Sequence, residues 1–292
     1  MSLPAAERAA PATTTSPSEA GLLDRALALL RGRPLVVLTG AGLSTDSGIP
    51  DYRGPTSVPR QPMTYQQFVS GPEEQRRYWA RSHVGWGRFR AAEPNAGHRA
   101  LAALDPTLLI TQNVDGLHER AGTSSLVALH GRIAEVVCLD CRTVSPRAAL
   151  HERMSRANPG WVEEHADVEV RPDGDVALEE TAGFVVPACE VCGGVLKPHV
   201  VFFGENVPKE RVQRCYDAVE ALADGGAHAG GALLVAGSSL TVMSGLRFVK
   251  RAAQRGVPVV IVNRGATRGD PLADVKLEVG CSDFCADLLD RR

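Results

Sequence analysis

The sequence predicts an α/β fold, a doubly wound, parallel, Rossmann-like sheet with a small inserted module and a helical or loop lid. Three observations carry that prediction. Short apolar runs at 35–38, 108–111, 232–236 and 259–262 each lead into a glycine-rich or polar turn, as buried parallel strands do. Two Cys-x-x-Cys pairs, Cys138/Cys141 and Cys189/Cys192, interrupt that rhythm. Prolines and glycines at 55, 59, 62, 71 and 72 break up the segment between the first strand and the next long helix.

Taken in order, residues 1–20 are rich in Ala, Pro, Ser and Thr and read as a disordered leader. Leucines and alanines at helical spacing predict a helix over 21–30, which Gly32 and Pro34 end before the strand at 35–38. Gly40 and Gly42 then permit a sharp turn whose amides, from Ala41 to Leu43, suit a diphosphate. The dehydrogenase fingerprint is incomplete. Its third glycine would fall at Thr45, and the positions about 20 residues further on, Val58, Pro59 and Arg60, include no acid. A helix over 73–90 follows the broken segment, so residues 55–95 are expected to form the lid. A helix over 97–104 and a strand over 108–111 lead to Gln112, Asn113 and Asp115. Polar residues at the carboxyl end of a parallel strand are where α/β active sites form, although the same residues also suit a turn and helix cap.

Residues 131–200 lack apolar periodicity and form the insert. Two knuckles offer four thiolates, a closed tetrahedral set that fits one structural zinc; redox-active or buried free cysteines are the other reading. Forty-seven residues separate Cys141 from Cys189, more than the usual ~15–20, and turn-forming sequences at 158–160 and 172–175 place the excess in a loop. A helix over 209–224 leads back to the sheet. The strand at 232–236 precedes Gly237, Ser238 and Ser239, and a helix over 244–254 precedes the strand at 259–262. Asn263, Arg264 and Gly265 follow, then a short strand at 275–279, Gly280, Cys281 and a closing amphipathic helix. Residues 21–130 and 201–292 thus make the sheet domain, and 131–200 the zinc-binding module.

Composition narrows the function. The 292 residues carry 44% hydrophobic side chains, a net charge of -2 and a pI near 6.5, which argues against nucleic acid or an anionic membrane as partner. No apolar run approaches the roughly 18 residues of a membrane span, and there is no secretion signal. A cytoplasmic monomer is expected. Seven cysteines, an odd number, do not make a disulfide framework.

The run at 40–53 fills every fixed position of Gly-Ala-Gly-x-Ser-x-x-Ser-Gly-Ile-Pro-Asp-(Phe/Tyr)-Arg and so resembles the cofactor loop of the sirtuins, the Sir2 family of NAD-dependent protein deacylases. The resemblance covers about residues 20–290. It implies that Gly40, Ala41, Gly42, Ser44, Ile49, Pro50, Asp51, Tyr52 and Arg53 bind NAD as a cosubstrate. It assigns Gln112, Asn113 and Asp115 to the nicotinamide side, with Asp115 on the carboxamide and Asn113 on the ribose or a water. Gly237, Ser238, Ser239, Asn263, Arg264, Gly265 and Cys281 match the phosphate and adenosine side. His130, in Leu-His-Gly at the edge of the zinc module, matches the catalytic base, and a neutral imidazole suits removal of a ribose proton. Val200, Val201, Phe202, Phe203, Gly204 and Glu205 match the tunnel for acyl-lysine, whose peptide adds as a strand beside the turn at 237–239.

The implied reaction begins with the acyl oxygen displacing nicotinamide from the ribose. His130 then promotes attack of a ribose hydroxyl on the acyl carbon, giving O-acyl-ADP-ribose and free lysine. Acylated-lysine proteins are the implied substrates. Mono-ADP-ribosyl transfer would use the same cofactor residues and stays open. The long spacing between knuckles and the stretch 78–86 resemble the class II, mitochondrial lipoamidase-type branch, which suggests acyl groups longer than acetyl. Tyr78-x-x-Arg81 has the spacing of a carboxylate clamp, yet Arg81 lies about one helical turn further from Pro94-Asn95 than that clamp requires, so it reads as a solvated helix face.

Overall fold

The computed structural model describes residues 18–51, 62–165, 176, 178 and 180–291. Helix α1, Glu19–Leu30, starts on Ser18, whose hydroxyl accepts from the Gly21 N–H, and Gly32 turns the chain at φ 65° behind it. Strand β1, Leu35–Thr39, is buried at every position, and two single 3₁₀ turns, Ala41–Leu43 and Thr45–Ser47, follow it. Then come α2, Tyr65–Phe68; α3, Pro72–Ala91; α4, Ala96–Leu104; β2, Leu108–Thr111; α5, Leu117–Arg120; and β3, Leu126–Ala128. The insert supplies β4, Gly131–Cys138; β5, Val144–Pro146; α6, Arg147–Ala157; α7, Trp161–Glu164; and β6, Leu196–Val200. The chain ends with α8, Lys209–Ala221; β7, Ala232–Ala236; α9, Met243–Gln254; β8, Val259–Val262; β9, Val275–Leu277; and α10, Cys281–Asp290.

Six parallel strands form the main sheet in the order β3-β2-β1-β7-β8-β9. Alternate side chains serve opposite faces. Leu35 and Val37 pack with Leu109, Leu234 and Val260 beneath α1, α4 and α10, whereas Val36 and Leu38 pack with Leu108, Ile110 and Ile261 beneath α8 and α9. Burial on both faces is why these strands are continuously apolar. The strand order reverses direction between β1 and β7, and that switch point leaves a crevice at their carboxyl ends.

The insert forms a three-stranded antiparallel sheet, β5-β4-β6, with Cys138 closing β4. It docks on the aromatic face of α3. Fully buried Trp79 and its neighbour Tyr78 pack with Val136, Leu150, Met154 and Phe202, and the Trp79 indole N–H donates to the Leu196 carbonyl at 2.9 Å. The sequence-expected helices and main-sheet strands recur with end shifts of a few residues; the helix from Lys209 stops at Ala221 and the strand from Val275 at Leu277. The strands and helices inside 131–200, together with β3 and α5, were not expected. Tyr52, Arg53 and residues 55–61 of the expected lid lie outside the described residues, as do residues 1–17 of the leader. No helix among the described residues is long and apolar enough to cross a membrane.

Candidate active site

A cavity of about 570 Å³ opens at the switch point. One wall is the turn after β1 and the other is the turn after β7. These turns touch backbone to backbone: a Cβ at Gly40 would stand 2.7 Å from the Gly237 carbonyl oxygen, and one at Gly42 would stand 3.0 Å from it. Gly237, at φ 68°, would drive its own Cβ to 2.3 Å from the Leu43 nitrogen. The three glycines are therefore required by turn-on-turn packing, a reason the isolated motif does not disclose.

Of the residues singled out in sequence, Gly40, Ala41, Gly42, Ser44, Ile49 and Asp51 line the cavity from the first turn, and Gln112, Asn113 and Asp115 from the end of β2. Gly237, Ser238, Ser239, Asn263, Arg264 and Gly265 line it from the second half of the sheet. Pro50 is exposed and outside the lining. Cys281 is buried at the start of α10, where its thiol reaches the Val262 carbonyl.

A hydrogen-bonded chain organises the inner end. The Asn113 amide donates to the Gly40 carbonyl and to Ser44 Oγ, both at 3.0 Å, and Ser44 Oγ donates to Asp115 Oδ2 at 2.7 Å. The Leu117 N–H donates to Asp115 Oδ1 at 2.9 Å. Burial raises the Asp115 pKa, and the Leu117 and Ser44 donors counteract it. Behind this group the Thr111 hydroxyl accepts from the Asn113 N–H and bonds Thr39, which in turn bonds His118.

His130 sits between β3 and β4 with its carbonyl accepting from the Val201 N–H at 2.8 Å. Its Nδ1 lies 2.9 Å from the Gln112 carbonyl. A carbonyl only accepts, so Nδ1 carries the proton and Nε2 is left with a lone pair, which takes the Ser244 hydroxyl at 2.9 Å. Burial lowers the His130 pKa to about 4, and Arg211 assists while the Gln112 carbonyl opposes. At neutral pH the ring is uncharged and basic at Nε2. Ser244 was read from sequence only as a helix start, because a serine there looks like an ordinary cap.

Val200, Val201, Phe202, Phe203, Gly204 and Glu205 also line the cavity, together with Tyr78 of the 78–86 stretch and with Met63, Phe89 and Ile133, which sequence reasoning did not assign. Glu205 braces the segment, accepting from the Phe202 N–H at 2.8 Å and pairing with buried Lys197 at 3.0 Å. Arg81 does not line the cavity. Its Nε donates to the Leu178 carbonyl, and the side chain is part-buried rather than solvated. A part-buried carboxylate, Arg264 and two turns of backbone lining one cavity suit a dinucleotide with a cationic ring and an anionic diphosphate.

The four knuckle thiols converge, with every sulfur within 4.8 Å of the others. Cys138 and Cys192 are 3.5 Å apart and Cys141 and Cys189 are 3.8 Å apart. Four sulfurs at ~2.3 Å from one zinc would stand about 3.8 Å apart, so the set fits the metal. Thr143, through its hydroxyl and backbone N–H, lowers the Cys141 thiol to about 6, while the neighbouring thiols raise Cys192 to about 12, so it is the four-sulfur geometry that points to a metal.

The sequence model described as the Sir2 family matches residues 40–244. The chain belongs to the Sir2 family. A Mycobacterium avium (strain 104) protein named NAD-dependent protein deacetylase 1 is 52% identical over 271 residues, covering 90% of this chain and 93% of its own. A Streptomyces coelicolor protein of the same name is also 52% identical, over 90% of this chain and 87% of its own. Among solved structures, one titled "Sir2-p53 peptide-NAD+" superposes with a TM-score of 0.70 at 30% identity, covering 92% of this chain and 97% of its own. Another, of a Sir2 protein bound to a propionylated peptide, gives 0.68 at 28% identity, over 92% of this chain and 97% of its own. The Sir2 fold accounts for both layers seen here, the six-stranded sheet and the small cysteine-bearing sheet.

Proposed function

We propose that the protein is an NAD-dependent protein-lysine deacetylase that transfers the acyl group to ADP-ribose and releases nicotinamide and free lysine. The observation that carries this reading is a neutral His130 whose Nε2 faces the same cavity as the Asn113–Ser44–Asp115 chain and the apolar branch. NAD, when bound, supplies the ribose carbon from which nicotinamide leaves and the hydroxyls that receive the acyl group. Asp115 accepts from the carboxamide, Asn113 positions the ribose or a water, and His130 takes a proton from a ribose hydroxyl through Nε2. Gly40, Ala41, Ser44, Ser238, Ser239, Asn263 and Arg264 hold the rest of the dinucleotide. Zinc holds the knuckles together and takes no part in the chemistry.

The apolar branch favours uncharged acyl groups, acetyl and longer. Its described walls, Met63, Tyr78, Phe89, Ile133 and Phe202, offer no cation to an acyl carboxylate, and Arg81 is engaged elsewhere. Mass spectrometry of the products from NAD and acetyl-, lipoyl-, long-chain-acyl- and succinyl-lysine peptides tests both points. O-acetyl-ADP-ribose, a weak succinyl reaction and a silent His130→Ala variant are expected. Nicotinamide release with intact acyl-lysine and ADP-ribose on a protein would replace this reading with ADP-ribosyl transfer.

A further inference from the structure

The joint between α3 and α6 buries a cation with no counter-charge among the described residues. Arg147 is 0% exposed and lies over the Trp79 and Trp86 rings, its guanidinium carbon 4.9 and 5.1 Å from their centroids. Nη2 donates to the carbonyl and hydroxyl of Ser82, but Nε and Nη1 meet no acceptor among the described residues. The ring faces offset charge above and below the guanidinium plane, whereas its N–H groups point outward within that plane. Three N–H bonds thus remain unmatched.

The surroundings add donors and positive charge. His83, 1% exposed, has neither ring nitrogen bonded, and the Trp86 indole N–H and His151 Nδ1 are likewise unmatched. The His83 and His151 rings are 4.3 Å apart, and those of Trp86 and His151 6.5 Å apart. Arg147 is also the first residue of an eleven-residue helix, with no side-chain cap and no acid in its first turn. A cation at a helix N-terminus faces the positive end of the dipole, the wrong sign for a protein to bury unaided. No carboxylate pairs with Arg147 among the described residues; Arg90, acting on His151, adds another positive charge.

We propose that this joint binds a single halide-sized anion, held by Arg147, the Trp86 indole and a histidine N–H, and that the anion fastens the zinc module to α3. Arg147, Trp79, Ser82 and His83 are all nearly fully buried, which favours a monatomic ion over a larger, strongly hydrated oxyanion. Tyr78 lies on the same helix and lines the acyl branch, so the ion also steadies one wall of the cavity.

Thermal unfolding of the full, zinc-loaded chain in sodium gluconate, with chloride or bromide substituted at constant ionic strength, tests the site. A saturable rise of about 2–4 °C is expected in the wild type and none in Arg147→Met, which keeps the volume without the charge. Trp86→Phe should raise the half-saturating halide several-fold. Crystals grown in bromide should show an anomalous peak within hydrogen-bond distance of Arg147. Equal halide responses in wild type and both variants, or a peak at the joint with water-like density and no anomalous signal, would overturn the proposal. If Arg147→Met does not fold, Trp86→Phe and the bromide map decide.

Discussion

Ser44 is a single buried hydroxyl on which two larger groups of the cavity depend. It receives the Asn113 amide and passes its own hydrogen to Asp115. Removing it leaves only backbone donors, the Leu117 N–H foremost, to a carboxylate whose pKa burial already raises. Ser44→Ala is therefore expected to lower kcat/KM for NAD about 10- to 100-fold, one to two hydrogen bonds to a charged group. The direction of the pH effect follows from the ionised acid being the competent form. Activity is lost as pH falls through the Asp115 pKa, and losing a donor that favours the anion moves that acid limb to higher pH. A kcat/KM profile with an unmoved limb would remove Asp115 from this role. At this scale the sequence order Gly40 to Asp51 and Gln112 to Asp115 is legible, because each residue occupies a motif position. The bonds between Ser44, Asn113 and Asp115 are not, since they join segments about 70 residues apart and depend on β1 lying beside β2. Ser244 escaped for the same reason: only the fold brings α9 to His130.

Among the elements, β4 and β6 fix the catalytic candidate. Gly131 begins β4 at φ 83°, opposite Val200, and a Cβ there would lie 2.1 Å from the His199 carbonyl oxygen. Gly131→Ala combines an unfavourable positive φ with a backbone collision, and a loss of ~3 kcal/mol or more with displacement of His130 is expected. Gly256→Ala is the matched comparison, at φ 70° in open space, and should lose only ~1 kcal/mol. Similar melting temperatures for the two variants would show that β4 and β6 do not clamp that turn. The metal belongs to the same sheet. Cys189→Ser should reduce zinc from one ion per chain to near none by elemental analysis and lower the melting temperature; full metal retention would exclude Cys189 as a ligand. Five of the six main-sheet strands were legible because continuous apolar runs admit few alternatives; the three-residue β3 was too short to show. Those of the insert were not: β6 reads Leu-Lys-Pro-His-Val, with Lys197 buried against Glu205, and a register shift between Gly131 and Val136 breaks the alternation of β4.

For the whole molecule, strand-turn-helix repetition made a doubly wound sheet legible, but not the order β3-β2-β1-β7-β8-β9, which long-range pairing decides. Nor does sequence reveal how many histidines the two layers bury, wholly as for His83, His98 and His118 or in part as for His130 and His151. Burial is the largest cause in each of five: it lowers His83 to about 3 and His98, His130 and His151 to about 4, and takes His118 well below its ordinary 6.5. Below about pH 6.5 their neutral forms persist only in the folded chain. Above pH ~7.5 both states hold these rings neutral and stability does not respond to them. Between about 6.5 and 4 the unfolded chain binds their protons and the folded chain does not, so stability falls as pH falls through that window. Asp115 acts oppositely, since its raised pKa lets the folded state keep a proton the unfolded state has released. Near pH 5 the net uptake on unfolding should be on the order of four protons per molecule. Calorimetric unfolding at pH 5 in two buffers of different ionisation enthalpy measures that number directly. An uptake near zero, or equal stability at pH 7.5 and 5, would mean the histidines are not buried as described. His118→Gln, which removes one ring beneath Thr39, should reduce the uptake by about one and flatten the acid side of the stability curve.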